Sequence, residues 1–157
     1  MSEPQIKKTE PMTVAYLQMH GPYQQIPLAM GMLYGWMNKR GLSPTGAPLG
    51  VYLTDPQMVP ESEATWELWV PVAYATEEAE PDTAAIGIKK LPVMTVASTV
   101  HLGPYEDVTP AYEELGRWVI EQGYVLVGPP MEAYLSDPAK TPPEEYETEI
   151  IFPVRQA

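Results

Sequence analysis

HGPY (His20–Tyr23) is answered further along the chain by LGPY (Leu102–Tyr105), and each phrase is followed at the same distance by a tryptophan, Trp36 and Trp118. Laying Gly21 on Gly103 sets an offset of 82 residues, which then holds without a gap from Ile6 on Ile88 to Val72 on Val154. Within it IKK (Ile6–Lys8) meets IKK (Ile88–Lys90), MTVA at Met12 meets MTVA at Met94, and Gly41, Gly46 and Pro48 meet Gly123, Gly128 and Pro130. VYLTDP and WELWVPV in the first stretch meet AYLSDP and TEIIFPV in the second. A GPY match alone carries little, because glycine and proline commonly precede helices. An ungapped register over about 67 positions reads as an internal duplication.

Two copies allow each element to be read twice. MTVAYLQM (Met12–Met19) and MTVASTVH (Met94–His101) are β-branched and apolar and run up to Gly-Pro, as strands do. Apolar residues then fall at helical spacing, at Ile26, Ala29, Met30, Leu33, Trp36 and Met37, and again at Val108, Ala111, Tyr112, Leu115, Trp118 and Val119. Proline suits the first turn of each helix, Glu106 and Asp107 suit the positive end of the second, and Gly41 and Gly123 are placed to end each helix in a left-handed conformation. Two further strands are expected near 49–54 and 65–72, and again near 131–136 and 147–154. Each unit is therefore β-α-β-β, with a short extra strand possible at its IKK start. The expected fold class is α+β: one domain over 1–157 made of two pseudo-symmetric repeats, about 6–72 and 88–154. An acidic connector, 73–87, joins them, its alanines compatible with a short helix. A half-sheet with one helix leaves a face to cover, so the repeats are expected to pack together with a cleft between them.

Strand alternation sorts residues into faces. Leu68, Val70 and Val72 match Ile150, Phe152 and Val154 and are expected beneath the helices. Glu67, Trp69, Glu149 and Ile151 then fall on the opposite face. A carboxylate inside ATWELWVPV must be paired, exposed or turned toward a cavity, because burying an unpaired charge costs several kcal/mol. On the neighbouring strand Val51 and Leu53, matched by Ala133 and Leu135, are expected as core. Tyr52 and Tyr134 are expected to join Glu67 and Glu149 on one surface suited to flat or cationic ligands. Each of these residues has an ordinary alternative: a solvated glutamate, or a tyrosine present for its strand propensity. Trp36 and Trp118 lie in helical apolar stripes and are expected in the core, Met19, Met30, Met32 and Met37 are adaptable filler, and His20 and His101 occupy non-equivalent strand ends.

The formal charge of −12 opposes association with nucleic acid and anionic membrane surfaces. No cysteine is present, which removes disulfides, thiolate nucleophiles and cysteine metal sites. There is no nucleotide-binding glycine loop, nucleophile elbow or metal-ligand spacing, and no cofactor is expected. The start of the chain has no signal-type apolar segment and no apolar run approaches a membrane span, so a cytoplasmic protein is expected; the sequence leaves the oligomeric state open, with a monomer favoured.

The combination of HGPY or LGPY before a helix, YLTDP or YLSDP after it, and a closing ELWVPV or EIIFPV resembles the GyrI-like small-molecule-binding family. That family is akin to the effector-binding domains of AraC-type and MerR-type multidrug regulators. The resemblance covers both halves. It implies a strand glutamate at Glu149, with Glu67 as its mate, in an aromatic pocket that attracts cationic, lipophilic ligands. No helix-turn-helix segment fits before Ile6 or after Val154, so a stand-alone ligand-binding protein without direct nucleic-acid contact is expected. Ligand contacts are expected from Glu149, Glu67, Tyr134, Tyr52, Trp69 and Ile151. Two further readings follow from the resemblance: a hydrolase opening cyclopropane rings of DNA-alkylating natural products, with Glu67, Glu149, Tyr52 and Tyr134 as its candidates, and a gyrase-inhibitor-like interaction protein.

Overall fold

The structure, a computed structural model, describes residues 3–157. Among the described residues nine strands and two main helices follow one another as β1 (Gln5–Lys8), β2 (Met12–His20), α1 (Ile26–Lys39), β3 (Leu49–Tyr52), β4 (Thr65–Val72), β5 (Ile86–Leu91), β6 (Thr95–Leu102), α2 (Thr109–Glu121), β7 (Tyr124–Leu126), β8 (Met131–Tyr134) and β9 (Glu147–Gln156). The chain is α+β as the sequence predicts, and no helix among the described residues is long and apolar enough to cross a membrane.

Two compact units emerge: an N-terminal unit, Glu10–Val93, and a C-terminal unit that joins the chain up to Thr9 to Met94–Ala157. In the N-terminal unit the strands are ordered β3-β4-β2-β5, all antiparallel. In the C-terminal unit the order is β1-β6-β9-β8, with β7 pairing the end of β9. The two IKK strands therefore lie with the opposite repeat. Ile6 pairs with Ala97 on β6, and Ile88 pairs with Ala15 on β2. The extra strand foreseen at each repeat start exists, but the boundary between units passes inside the repeats, next to those strands.

Each core lies between one sheet and one helix. In the N-terminal unit Ala29, Leu33, Trp36 and Met37 of α1 pack on Ala15 and Leu17 of β2, Trp66, Leu68, Val70 and Val72 of β4, and Ile86 and Ile88 of β5. In the C-terminal unit Ala111, Leu115 and Val119 of α2 pack on Ala97, Ile150, Phe152 and Val154, with Trp118 partly buried against them. Burial of each such aliphatic or aromatic side chain contributes about 1.5–3 kcal/mol. Val51 and Ala133 are buried as expected, whereas Leu53 and Leu135 are 41% and 45% exposed, because β3 and β8 end one residue before them.

The Gly-Pro phrases do not begin the α-helices. Gly21 and Gly103 take φ of 131° and 130°, a conformation that favours glycine, and each following proline caps a three-residue 3-10 turn, Tyr23–Gln25 or Tyr105–Asp107. Glu106 and Asp107 belong to that turn. Pro27 and Pro110, not Pro22 and Pro104, occupy the first positions of α1 and α2, where a missing N–H leaves no bond unmade. The connector forms no helix. Ala79 bridges Ile88, and the Asp82 carboxylate accepts hydrogen bonds from Trp36 Nε1 at 2.7 Å and the Ala84 amide at 2.8 Å and pairs with Arg40 at 3.3 Å. The Trp36 bond is the main reason its pKa lies below the ordinary carboxylate value.

Candidate functional site

Register decides which side chains share a surface. Val51 pairs with Glu67 and Tyr52 with Trp66, so Tyr52 lies on the helix side of its sheet with Trp66, and Glu67 on the other side. On β8, likewise, Ala133 pairs with Glu149 and Tyr134 with Thr148. The expected grouping of Tyr52 and Tyr134 with Glu67 and Glu149 is therefore corrected. Alternation places each tyrosine beneath a helix, and it is Val51 and Ala133 that share the glutamate faces.

The glutamates themselves are paired. Lys89 Nζ donates to Glu67 at 2.8 Å, and Trp69 Nε1 donates to the same oxygen at 2.7 Å. The Lys89 ammonium also lies 4.3 Å from the Tyr16 ring centroid and 4.8 Å from that of Trp69. In the C-terminal unit Lys7 Nζ lies 2.6 Å from Glu149, with Ile151 buried two residues along β9. Each face thus holds a carboxylate together with a lysine that already neutralises it.

A second set of polar groups lies beneath α2, all within the C-terminal unit. Glu132 pairs with Ile150 and so points to the helix side, as Tyr134 does. The Tyr112 hydroxyl, reaching down from α2, donates a hydrogen bond to Glu132 Oε2, and Tyr134 also hydrogen-bonds this carboxylate. Desolvation raises the Glu132 pKa above the ordinary value, against the opposing pull of Tyr112, Tyr134 and the charge of His101. Among the described residues no lysine or arginine lies within ion-pair distance of it. Tyr105 stacks on Tyr146 at 4.8 Å and meets Tyr134 edge-on at 5.6 Å, while Tyr112 leans on Phe152 at 5.6 Å.

His101, on β6 opposite Thr148, is buried, with Nε2 3.0 Å from the Pro104 carbonyl. A carbonyl only accepts, so this nitrogen carries a proton. Thr148, between His101 and Tyr134 in the register, is 1% exposed, and its hydroxyl has no hydrogen-bond partner among the described residues. Buried hydroxyls ordinarily find partners, so the unpartnered Thr148 hydroxyl and the desolvated Glu132 carboxyl are two unusual polar groups under one helix.

The N-terminal unit carries apolar counterparts at the 82-residue offset: Gly50 for Glu132, Met30 for Tyr112, Met19 for His101 and Trp66 for Thr148. There Tyr23 meets Tyr52 at 5.4 Å and Trp66 at 6.3 Å, both edge-on, and Trp66 Nε1 donates to the Gly21 carbonyl at 2.9 Å. Comparison of the copies for what they share passes over Glu132. Their differences would have found it, since an acid stands in strand MEAY where the first copy has glycine. No group of acids, histidines or cysteines able to hold a metal occurs among the described residues.

Known proteins share this organisation. The chain is 28% identical over 156 residues, 98% of its length, to a DNA gyrase inhibitor of Erwinia billingiae, covering 97% of that protein. The C-terminal domain of EcmrR superposes with a TM-score of 0.84 at 24% identity, covering 100% of this chain and 99% of that one. A hydrolase from Listeria innocua superposes with a TM-score of 0.72 at 18% identity, over 98% and 92% of the two chains. The family model of the GyrI-like small molecule binding domain matches residues 2–155, and the chain belongs to that family.

Proposed function

We propose that the chain binds a lipophilic, cationic aromatic molecule at the tyrosine-ringed Glu132 of its C-terminal unit. The observation that carries this reading is a carboxyl desolvated beneath α2, held by two tyrosine hydroxyls and lacking an ammonium or guanidinium partner among the described residues. A cation brought beside it would supply that missing charge and would favour the ionised carboxylate. Tyr105, Tyr134 and Tyr146 offer ring faces and edges, each good cation–π contact contributing about 0.5–2 kcal/mol. Glu67 and Glu149 serve here as partners of Lys89 and Lys7, and Trp69 and Ile151 as their apolar surroundings.

Titration with tetraphenylphosphonium, followed by tyrosine and tryptophan fluorescence, tests the reading. Binding should weaken at least tenfold in Glu132→Gln and change little in Glu149→Gln. The reverse pattern would return the anionic role to Glu149, as the sequence resemblance implies.

One observation favours a second reading. A carboxyl with a raised pKa, hydrogen-bonded to two phenols, is suited to general acid–base work, so Glu132 could protonate or deprotonate a bound substrate as a hydrolase requires. Incubation with cyclopropane-containing alkylators, with ring-opened product sought by mass spectrometry, separates turnover from binding. The name of the Erwinia relative supports a third, gyrase-directed reading, which a supercoiling assay with purified gyrase decides.

A further inference from the structure

A different concavity lies in the C-terminal unit, with a volume of about 570 Å³, in the range of small-molecule sites. Three of the chain's nine lysines and arginines, Lys7, Lys8 and Arg155, line it, and no carboxylate does so among the described residues. In a chain with 21 acidic residues this is a local reversal of sign. Lys7 is engaged by Glu149, but Lys8 and Arg155 form no ion pair with a described residue, and the Arg155 guanidinium donates to the neighbouring Gln156 carbonyl at 3.0 Å. Thr95 and Gln156 add neutral polar groups, and Ile6, Tyr124 and Val154 add apolar wall.

The equivalent place in the N-terminal unit provides an internal comparison. There Lys90, at the position of Lys8, donates to the Tyr74 carbonyl and to Thr13 Oγ1 at 3.3 Å, and lies 4.5 Å from the Tyr74 ring centroid. Thr13 Oγ1 in turn donates to the same carbonyl at 2.7 Å. One copy satisfies its lysine with its own backbone and aromatic ring. In the other, Gln156 replaces Tyr74, Arg155 replaces Ala73, and Tyr124 replaces Leu42, so the ring that covers the lysine is missing while a second cation and a phenol are added.

The geometry points to a binding site for a small organic anion, an oxyanion head group carried on an apolar body. The head group is met by Lys8 and the Arg155 guanidinium, whose fork matches carboxylate and phosphate oxygens, and the body lies against Ile6, Tyr124 and Val154. Lys7 is already paired with Glu149 and is not the primary contact. None of these residues belongs to the Glu132 cluster, so the inference stands apart from the cation-binding reading.

The test uses the full chain, labelled with nitrogen-15, at low ionic strength. Amide shifts are followed on addition of inorganic phosphate, phenyl phosphate, benzoate and uncharged benzamide. Saturable shifts at Thr95, Tyr124 and Arg155–Gln156 are expected with phenyl phosphate or benzoate, and whichever of the two binds more tightly identifies the head group. Lys8→Gln combined with Arg155→Gln changes two exposed side chains and should weaken that binding by about tenfold or more, as should added salt. Unchanged affinity in the double variant, shifts centred elsewhere, equal response to benzamide, or no saturable shift with either organic anion would overturn the site. Inorganic phosphate binding as tightly as phenyl phosphate would overturn the apolar half of the assignment.

Discussion

Lys7 and Glu149, 142 residues apart in sequence, meet at 2.6 Å, and Lys89 and Glu67 make the same pair at 2.8 Å. The two lysines stand at equivalent positions of the sequence repeat, as do the two glutamates. Each lysine arrives on an IKK strand, and each of these strands carries the cation that pairs with a carboxylate set beside apolar residues of β4 or β9. The Glu149 side chain is only 17% exposed, which makes the pairing consequential.

Lys7→Met leaves Glu149 without its cation and should lower the unfolding free energy by about 1–3 kcal/mol. Combining it with Glu149→Leu should recover much of that loss, since removal of both charges eliminates the desolvation penalty. Urea denaturation of the two single variants and the double measures the coupling, and strictly additive losses would show the pair to be energetically independent.

Trp66 is fully buried beneath α1 and donates to the Gly21 carbonyl, which fixes the turn that precedes the helix. Trp66→Ala should cost about 3–5 kcal/mol through the cavity it creates. Trp66→Phe fills most of the space but orphans the carbonyl, and should cost about 1–3 kcal/mol. Calorimetry should rank the three proteins in that order.

Gly87 on β5 has no room for a side chain: a Cβ there would lie 2.6 Å from the Ala79 carbonyl oxygen and 3.1 Å from Tyr16 Cε1. Gly87→Ala should therefore displace the bridge between Ala79 and Ile88 and destabilise by about 1–3 kcal/mol. At the equivalent position of the first copy stands the exposed Gln5, and Gln5→Ala should fall within about 0.5 kcal/mol of the parent in chemical denaturation.

Glu132 has a raised pKa, so the folded protein holds this proton more tightly than the unfolded chain. Its contribution to stability is greatest below the unfolded-state value of about 4.5 and declines as pH rises through the folded-state value. Glu132→Gln removes that titration. Relative to the parent, the variant should gain stability between pH 5 and pH 8, as read by urea midpoints at both; a relative loss over that interval would contradict the desolvated environment.

The phenols around Glu132 show how much of the site could be read beforehand. Leu68, Val70 and Val72, with Ile150, Phe152 and Val154, fell beneath the helices as alternation requires, because two copies agreed on which positions are apolar. The same alternation misassigned Tyr52 and Tyr134, since it fixes the order of faces within a strand but not the phase of one strand against the next. Hydrogen-bond register supplies that phase: Tyr52 lies opposite Trp66 and Tyr134 opposite Thr148. Glu132 is not marked by what the two copies share, because the polar cluster is confined to one of them.

Local chemistry sufficed for the elements themselves. β-Branched runs, helical stripes and the glycines that end the helices, Gly41 and Gly123 at φ of 70° and 83°, are dictated by residues near one another in the chain. Partnership was decided only by tertiary structure. Whether Glu149 faces a ligand or Lys7, and whether Tyr134 meets Glu149 or Glu132, depends on strands brought together from distant parts of the sequence, and a strand's own pattern contains no record of which neighbour it will take.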